Sequence, residues 1–136
     1  MDIPVTDQNQ TDQDQTDQAR PVEDRPFAPG LHLLVDFWEC RGLLDAEGIE
    51  RTLRAAASAC GATVLNVMLH NFGDGGGITG VALLAESHMS IHTWPETGYA
   101  AMDIFMCGRC DPRAALPVLE AWFAPGSTRI TEHRRG

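Results

Sequence analysis

From residue 30 onward, hydrophobic residues gather in short runs that are separated by turn residues. Six runs are rich in β-branched, aromatic and other apolar side chains, which predicts strands. They cover 31–38, 62–70, 78–85, 89–93, 99–106 and 128–132. Two longer segments predict helices. The first follows the capping residue Asp45 to about residue 58 and puts apolar residues on one face, and the second covers 112–123. Gly61 stands in the position that usually ends a helix.

The predicted order of elements is β-α-β-β-β-β-α-β. Strands that follow one another through short loops favour an antiparallel sheet, and two helices can cover one of its faces. The predicted fold class is therefore α+β, a two-layer sandwich of a mainly antiparallel sheet and two helices. Pro117 lies inside the second predicted helix and predicts a kink or a weaker helix there. The other face of the sheet needs a cover if it is apolar, and a partner subunit would supply it.

Residues 1–29 differ in composition from the rest of the chain. Thr-Asp-Gln recurs every five residues, at 6–8, 11–13 and 16–18, and almost nothing is apolar before Val22. Such a segment cannot offset the entropy that ordering would cost. We therefore predict a disordered, acidic and glutamine-rich tail over 1–29, and a single folded domain over 30–136.

The formal net charge is −9, and all ten basic residues are arginine. The acidic balance argues against nucleic acid as a partner, whereas a cationic substrate suits it. The lack of lysine excludes a pyridoxal phosphate enzyme, which holds its cofactor on lysine. No secretory signal opens the chain, and no apolar run approaches the ~20 residues of a membrane span. We therefore expect a cytoplasmic protein with reduced thiols and no membrane contact.

The candidate chemistry lies in the segment LAESHMSIHTWPE, residues 84–96. A serine and two histidines fall within six residues there. On a strand, His88, Ser90 and His92 share one face, because side chains alternate. Ser87 lies where two predicted strands meet, so backbone strain is expected at that point.

This segment resembles the processing segment of S-adenosylmethionine decarboxylase proenzymes, in their short bacterial and archaeal form. The resemblance covers about residues 30–135, and its motifs occur in order at matched spacing. They are GLHL at 30–33, GAT at 61–63, GITGV at 77–81, ESH at 86–88, IHTWPE at 91–96, GYAA at 98–101 and FMCG at 105–108. One such motif is weak evidence, but the ordered set is specific.

The resemblance implies that the chain cuts itself between Glu86 and Ser87. The Ser87 hydroxyl attacks the carbonyl of Glu86, the acyl group moves from nitrogen to oxygen, and elimination frees a new carboxyl terminus. Residue 87 becomes a pyruvoyl group as ammonia leaves, so the cofactor comes from the chain itself and no metal is expected. This group forms a Schiff base with the substrate amine and acts as the electron sink when carbon dioxide leaves. The implied product is decarboxylated S-adenosylmethionine, the aminopropyl donor for spermidine and other polyamines.

The same resemblance implies roles for five further residues. His92 is the proton acceptor in processing, Cys107 is the proton donor in decarboxylation, and Thr79 stands where the family often has a serine that assists processing. Phe72 matches a ring that stacks on the adenine, and Glu96 matches a carboxylate near the substrate. The family also implies a homodimer of processed two-chain protomers, with a site lined by both.

Several alternatives remain open at this point. Some members of the family act on L-ornithine or L-arginine instead, and Phe72 alone does not decide between these substrates. A non-catalytic homologue that regulates an active partner is a second possibility. A redox or zinc-binding module at Cys107 and Cys110 is a third, although a structural zinc site wants four ligands. Asp36 stands where the family often has glutamate, and its shorter side chain leaves any role open. Taken singly, each of these residues also has an ordinary structural explanation.

Overall fold

The computed structural model describes residues 30–136, and the predicted tail over 1–29 lies outside the described residues. The described chain follows the predicted order of elements. Its strands are β1 (Gly30–Trp38), β2 (Val64–Asn71), β3 (Ile78–Leu84), β4 (Ser87–Trp94), β5 (Tyr99–Cys107) and β6 (Ser127–Arg135). Its helices are α1 (Ala46–Ala59) and α2 (Leu116–Phe123), and a short 3-10 turn (Pro112–Ala115) leads into α2.

The six strands form one sheet in the order β2-β3-β4-β5-β1-β6, and every neighbouring pair is antiparallel. The first strand lies between the fifth and the sixth, so the sheet is more than a succession of hairpins. Both helices pack on one face of the sheet around a common core. The predicted α+β two-layer sandwich is confirmed.

The helix α1 shows how the sequence fixes one element. The Asp45 side chain accepts a hydrogen bond from the backbone N–H of Gly48 at 2.9 Å, which satisfies one of the free donors of the first turn. The apolar face then packs on the sheet, and its predicted residues are fully buried. These residues are Ile49, Leu53, Ala56 and Ala57. Gly61 follows the helix with φ +80°, which is the left-handed conformation that glycine adopts without strain.

Several elements differ from the predicted bounds, including β6, which is Ser127–Arg135 rather than 128–132. Pro117 does not kink a continuous helix, because 112–115 form a 3-10 turn and α2 begins at Leu116. Pro117 thus lies in the first turn of α2, where its missing N–H has no acceptor to lose. The fourth strand is longer than predicted and begins at Ser87 itself.

The face of the sheet away from the helices, here called the open face, has no cover in the described chain. Apolar side chains on this face are 40 to 69% exposed, and they come from four strands. They are Leu34, Met68, Val81, Leu83 and Trp94. Exposed apolar side chains gathered on one face of a sheet are typical of an interaction surface. Neither helix in residues 30–136 is long and apolar enough to cross a membrane.

Candidate active site

A two-residue turn, Ala85 and Glu86, joins β3 to β4 immediately before Ser87. Leu84 and Ser87 pair across this turn and close it. Glu86 has φ +62°, in the left-handed region where glycine or asparagine normally stands. Holding another residue there costs on the order of 1–3 kcal/mol. The expected strain is therefore present, one residue before Ser87.

The Glu86–Ser87 peptide is held between two groups of Cys107. The backbone N–H of Cys107 donates to the Ser87 hydroxyl oxygen at 3.0 Å. The Cys107 thiol donates to the carbonyl oxygen of Glu86 at 2.8 Å. The first contact fixes the hydroxyl oxygen. The second contact places a donor at the Glu86 carbonyl oxygen, where negative charge develops if the Ser87 hydroxyl oxygen adds to the carbonyl carbon.

Thr79 and His92 form a second pair at the far end of the same strands. They face each other across β3 and β4, and the Thr79 hydroxyl lies 3.2 Å from Nδ1 of His92. His92 is five residues from Ser87 along β4, which is about 17 Å at ~3.3 Å per residue. A single chain therefore does not bring His92 and Thr79 to Ser87.

The two residues expected to bind substrate lie at this far end as well. Phe72 follows β2, is 65% exposed, and packs edge-on against His70 with ring centroids 4.5 Å apart. Glu96 is exposed in the turn 95–98 that follows β4. Within one chain, both are on the Thr79–His92 side of the sheet rather than beside Ser87.

A cluster of four polar residues lies on the open face, and the sequence had indicated only that two of them, His88 and Ser90, share a face. Asp103 accepts hydrogen bonds at Oδ2 from Nε2 of His32 at 2.6 Å and from Nε2 of His88 at 3.1 Å. The Ser90 hydroxyl donates to the other carboxylate oxygen. Burial works against the charged form of Asp103, but these three donors outweigh it and lower its pKa. The available signal was an aspartate inside the apolar strand YAAMDIFMC.

Asp36 takes part in a separate network near one end of the open face. It accepts hydrogen bonds from the Tyr99 hydroxyl and from the Arg129 guanidinium. Hydrogen bonding to Asp36, together with burial, raises the pKa of Tyr99. The Tyr99 ring in turn stacks between Trp38 and Trp94, at centroid distances of 5.6 and 5.2 Å. Because its partners lie within the same chain, Asp36 has a structural explanation here.

The four cysteines are free thiols that differ in environment. Burial raises the pKa of Cys40 and of Cys60 to about 11, so both are poor nucleophiles at neutral pH. Cys110 closes a turn with Cys107, its backbone N–H donating to the Cys107 carbonyl at 3.3 Å. Within residues 30–136 the cysteines join no group of three or more potential metal ligands; such a group is formed instead by His32, His88 and Asp103.

A strained residue followed by a buried serine, with donors on both sides of the peptide, defines a candidate self-cleaving enzyme on an α+β sandwich. The comparisons with known proteins agree with this class. A family model described as S-adenosylmethionine decarboxylase matches residues 31–136. The chain belongs to this family.

Individual relatives support the assignment over most of their length. The chain is 46% identical to an S-adenosylmethionine decarboxylase proenzyme from Methanococcus aeolicus, over 79% of this chain and 93% of the relative. A proenzyme of the same name from Thermomicrobium roseum is 40% identical, with the same shares covered. The crystal structure of the adenosylmethionine decarboxylase from Aquifex aeolicus superposes with a TM-score of 0.74 at 32% identity, covering 82% of this chain and 93% of that one.

Proposed function

We propose that the chain cleaves itself between Glu86 and Ser87 and then decarboxylates S-adenosyl-L-methionine to supply an aminopropyl donor for polyamine synthesis. The observation that carries the proposal is the Glu86–Ser87 peptide, strained at Glu86 and contacted on both sides by Cys107. Membership of the family supports the substrate, because relatives that match over most of the chain bear that enzyme's name.

In processing, Ser87 is the nucleophile and Cys107 assists it. Addition of the hydroxyl to the Glu86 carbonyl moves charge onto the oxygen that the thiol contacts, and the cleavage that follows frees Glu86 from its left-handed conformation. His92, beside the Thr79 hydroxyl, is the base that removes the α-proton of residue 87. The products are one chain ending at Glu86 and another beginning at residue 87.

The residues around position 87 fit a pyruvoyl group made from the serine. Once formed, this group supplies a ketone that draws electrons from the substrate carbon as carbon dioxide leaves. Before cleavage, the Cys107 thiol is engaged by the Glu86 carbonyl. Cleavage separates Glu86 from residue 87, so the thiol becomes free to donate its proton to the product carbon.

The functional unit in this proposal is a homodimer whose open faces pack together. The two halves of the processing machinery, Ser87–Cys107 and Thr79–His92, lie at opposite ends of β4 and cannot meet within one chain. A second copy turned end to end places its Thr79–His92 pair at the first copy's Ser87. The same packing covers the exposed apolar side chains of the open face, which stabilises the dimer by the hydrophobic effect.

Substrate binding in this arrangement uses groups from both copies. Phe72 and Glu96 of one chain approach residue 87 of the other. An exposed aromatic ring suits a flat nucleoside by stacking, and a carboxylate suits a cationic or hydroxyl-bearing substrate. We place the enzyme in the cytoplasm, with no nucleic acid or membrane partner, in keeping with its net charge of −9.

The substrate is tested by carbon dioxide release from processed enzyme, with S-adenosyl-L-methionine, L-ornithine and L-arginine compared at equal concentration. We expect kcat/KM for S-adenosyl-L-methionine to exceed the others by at least about 100-fold, since Phe72 offers a stacking surface that only the nucleoside uses. Phe72→Ala should lower only the value for the nucleoside. Preference for ornithine or arginine would refute the substrate, and an enzyme that is cut but inactive on all three would point to a regulatory homologue.

Cys107→Ala separates the two functions proposed for this residue. We expect cleavage to be slower but to proceed, because the backbone donor to Ser87 remains while the thiol donor to Glu86 is lost. Decarboxylation by the cleaved variant should fall by about 10²-fold or more, as is typical for loss of a general acid. Time courses of intact mass give the first rate and carbon dioxide release the second. Cys110→Ala is the matched control, and full turnover in Cys107→Ala would remove Cys107 from the site.

A further inference from the structure

The Asp103 cluster consists of Asp103, His32, His88 and Ser90 on the open face. His88 is the second residue after the scissile bond, and the cluster has no part in the processing chemistry described above. We propose that His88 is the base that takes a proton from the ammonium group of the substrate, and that Asp103 is the residue that positions it. This inference rests on the proposed decarboxylation. It adds a catalytic residue, His88, and a positioning residue, Asp103.

The hydrogen bonds determine which nitrogen of His88 is available. Asp103 is ionised and only accepts, so Nε2 of His88 must carry the proton that it donates to Oδ2. In the neutral ring Nδ1 then has a free lone pair, and nothing in residues 30–136 forms a hydrogen bond with it. A carboxylate that fixes one nitrogen of an imidazole so that the other can accept a proton is the arrangement used in serine hydrolase triads.

His32 contacts the same carboxylate oxygen but cannot serve as the base. Arg135 Nη1 lies 3.2 Å from Nδ1 of His32, and an arginine can only donate. Both ring nitrogens of His32 are therefore occupied, one by Arg135 and one by Asp103. Its side chain is 17% exposed, against 42% for His88. Within one chain, only the His88 imidazole of this pair is therefore free to meet a substrate held between the two copies.

His88 follows the reacting carbon directly along the chain, and its side chain lies on the open face. Residue 87 supplies the ketone carbon from its own Cα, and the Cα of residue 88 is about 3.8 Å away. The Ser87 side chain is 6% exposed against the packed side of the sheet, so substrate approaches from the open face. His88 lies on that face, with Phe105 at a ring distance of 5.7 Å, and Phe105 precedes Cys107 by two residues along β5.

Schiff base formation requires that the substrate ammonium group first lose a proton. An α-amino group has a pKa of about 8 and is mostly an ammonium ion at neutral pH, so its nitrogen has no lone pair with which to attack a ketone. In the proposed step the N–H bond of the ammonium group breaks and an Nδ1–H bond forms on His88. The nitrogen is left neutral with its lone pair free. The imidazolium that results is stabilised by the Asp103 carboxylate, and the proton later leaves with the water released from the ketone.

The first test uses His88→Gln, which retains a donor toward Asp103 but removes the base, and His32→Gln as the matched control on the same carboxylate. We expect both variants to be fully cleaved by intact mass. Turnover should fall by about 10²-fold or more in His88→Gln and stay within a few-fold in His32→Gln. Added imidazole should restore part of the turnover of His88→Gly and none of that of Cys107→Ala. Equal losses in both glutamine variants, or full turnover in His88→Gln, would overturn the proposal.

The second test does not depend on activity. In the uncut Ser87→Ala chain, proton–nitrogen correlation spectra of the histidine rings report which nitrogen carries the proton. We expect His88 to be protonated at Nε2 and bare at Nδ1, and Asp103→Asn to change this pattern. A bare Nε2, or a stoichiometric divalent metal found by elemental analysis of the purified protein, would overturn the proposal, because a metal-bound Nε2 carries no proton. If wild-type enzyme releases no carbon dioxide from any substrate while these spectra are as expected, the proposed function fails and the tautomer assignment stands.

Discussion

Ser87→Ala is expected to remain one uncut chain with no measurable decarboxylase activity. Alanine keeps the backbone and the left-handed Glu86 but has no oxygen to attack the Glu86 carbonyl. Without the attack no ester forms, and without the ester residue 87 cannot become a ketone. The loss should be complete rather than partial, because no other hydroxyl in the described chain is positioned by Cys107 at this peptide.

Denaturing intact-mass spectrometry measures this directly. Wild-type protein should give a fragment ending at Glu86 and a fragment beginning at residue 87, the second lighter by one ammonia than the same fragment beginning with serine. Ser90→Ala is the matched control, since this hydroxyl lies in the same segment but contacts Asp103 on the open face, so its chain should still be cut. Cleavage between 86 and 87 in the Ser87→Ala variant would show that the nucleophile is another group.

The fold was predictable because its local signals agree with one another. The Asp45 cap, the apolar face of α1 and the glycine after it all mark the same helix. The strands were recognisable from short apolar runs between turns, and their number and order were right. The boundaries of the elements within residues 112–123 were harder to predict. Pro117 is unfavourable in the interior of a helix but fits its first turn, and the sequence does not show where the 3-10 turn ends and α2 begins.

The candidate site was predictable only as far as the motif reached. The segment 84–96 located Ser87 and the shared face of His88, Ser90 and His92. The sequence did not reveal that Cys107 contacts both Ser87 and Glu86, because that contact depends on how β4 and β5 pair, about twenty residues apart. It also missed the role of Asp103, since one acid in an apolar strand has no evident partners until strand pairing brings His32 and His88 from the two neighbouring strands to its carboxylate.

Because Ser87 and His92 lie far apart within one chain, we expect two inactive variants to restore cleavage when they are combined in one dimer. His92→Ala expressed alone should stay uncut, and so should Ser87→Ala expressed alone. When the two chains are co-expressed, we expect the His92→Ala chain to be cut. In a mixed dimer its Ser87 meets the intact Thr79–His92 pair of the other copy, because each site takes its nucleophile and its base from different chains.

This complementation distinguishes a shared site from a site within one chain. With different affinity tags, mixed dimers can be isolated and each chain weighed separately. The His92→Ala chain should be cut nearly completely in those dimers, and the Ser87→Ala chain should remain whole. Co-expression of the His92→Ala chain with a Ser87→Ala/His92→Ala double variant is the control and should yield no cleavage, since neither copy then provides the base. If the mixed dimers form and the His92→Ala chain still stays whole, the base must act within its own chain. A rearrangement of β4 would then be needed to bring its two ends together, whereas the extended strand holds them about 17 Å apart.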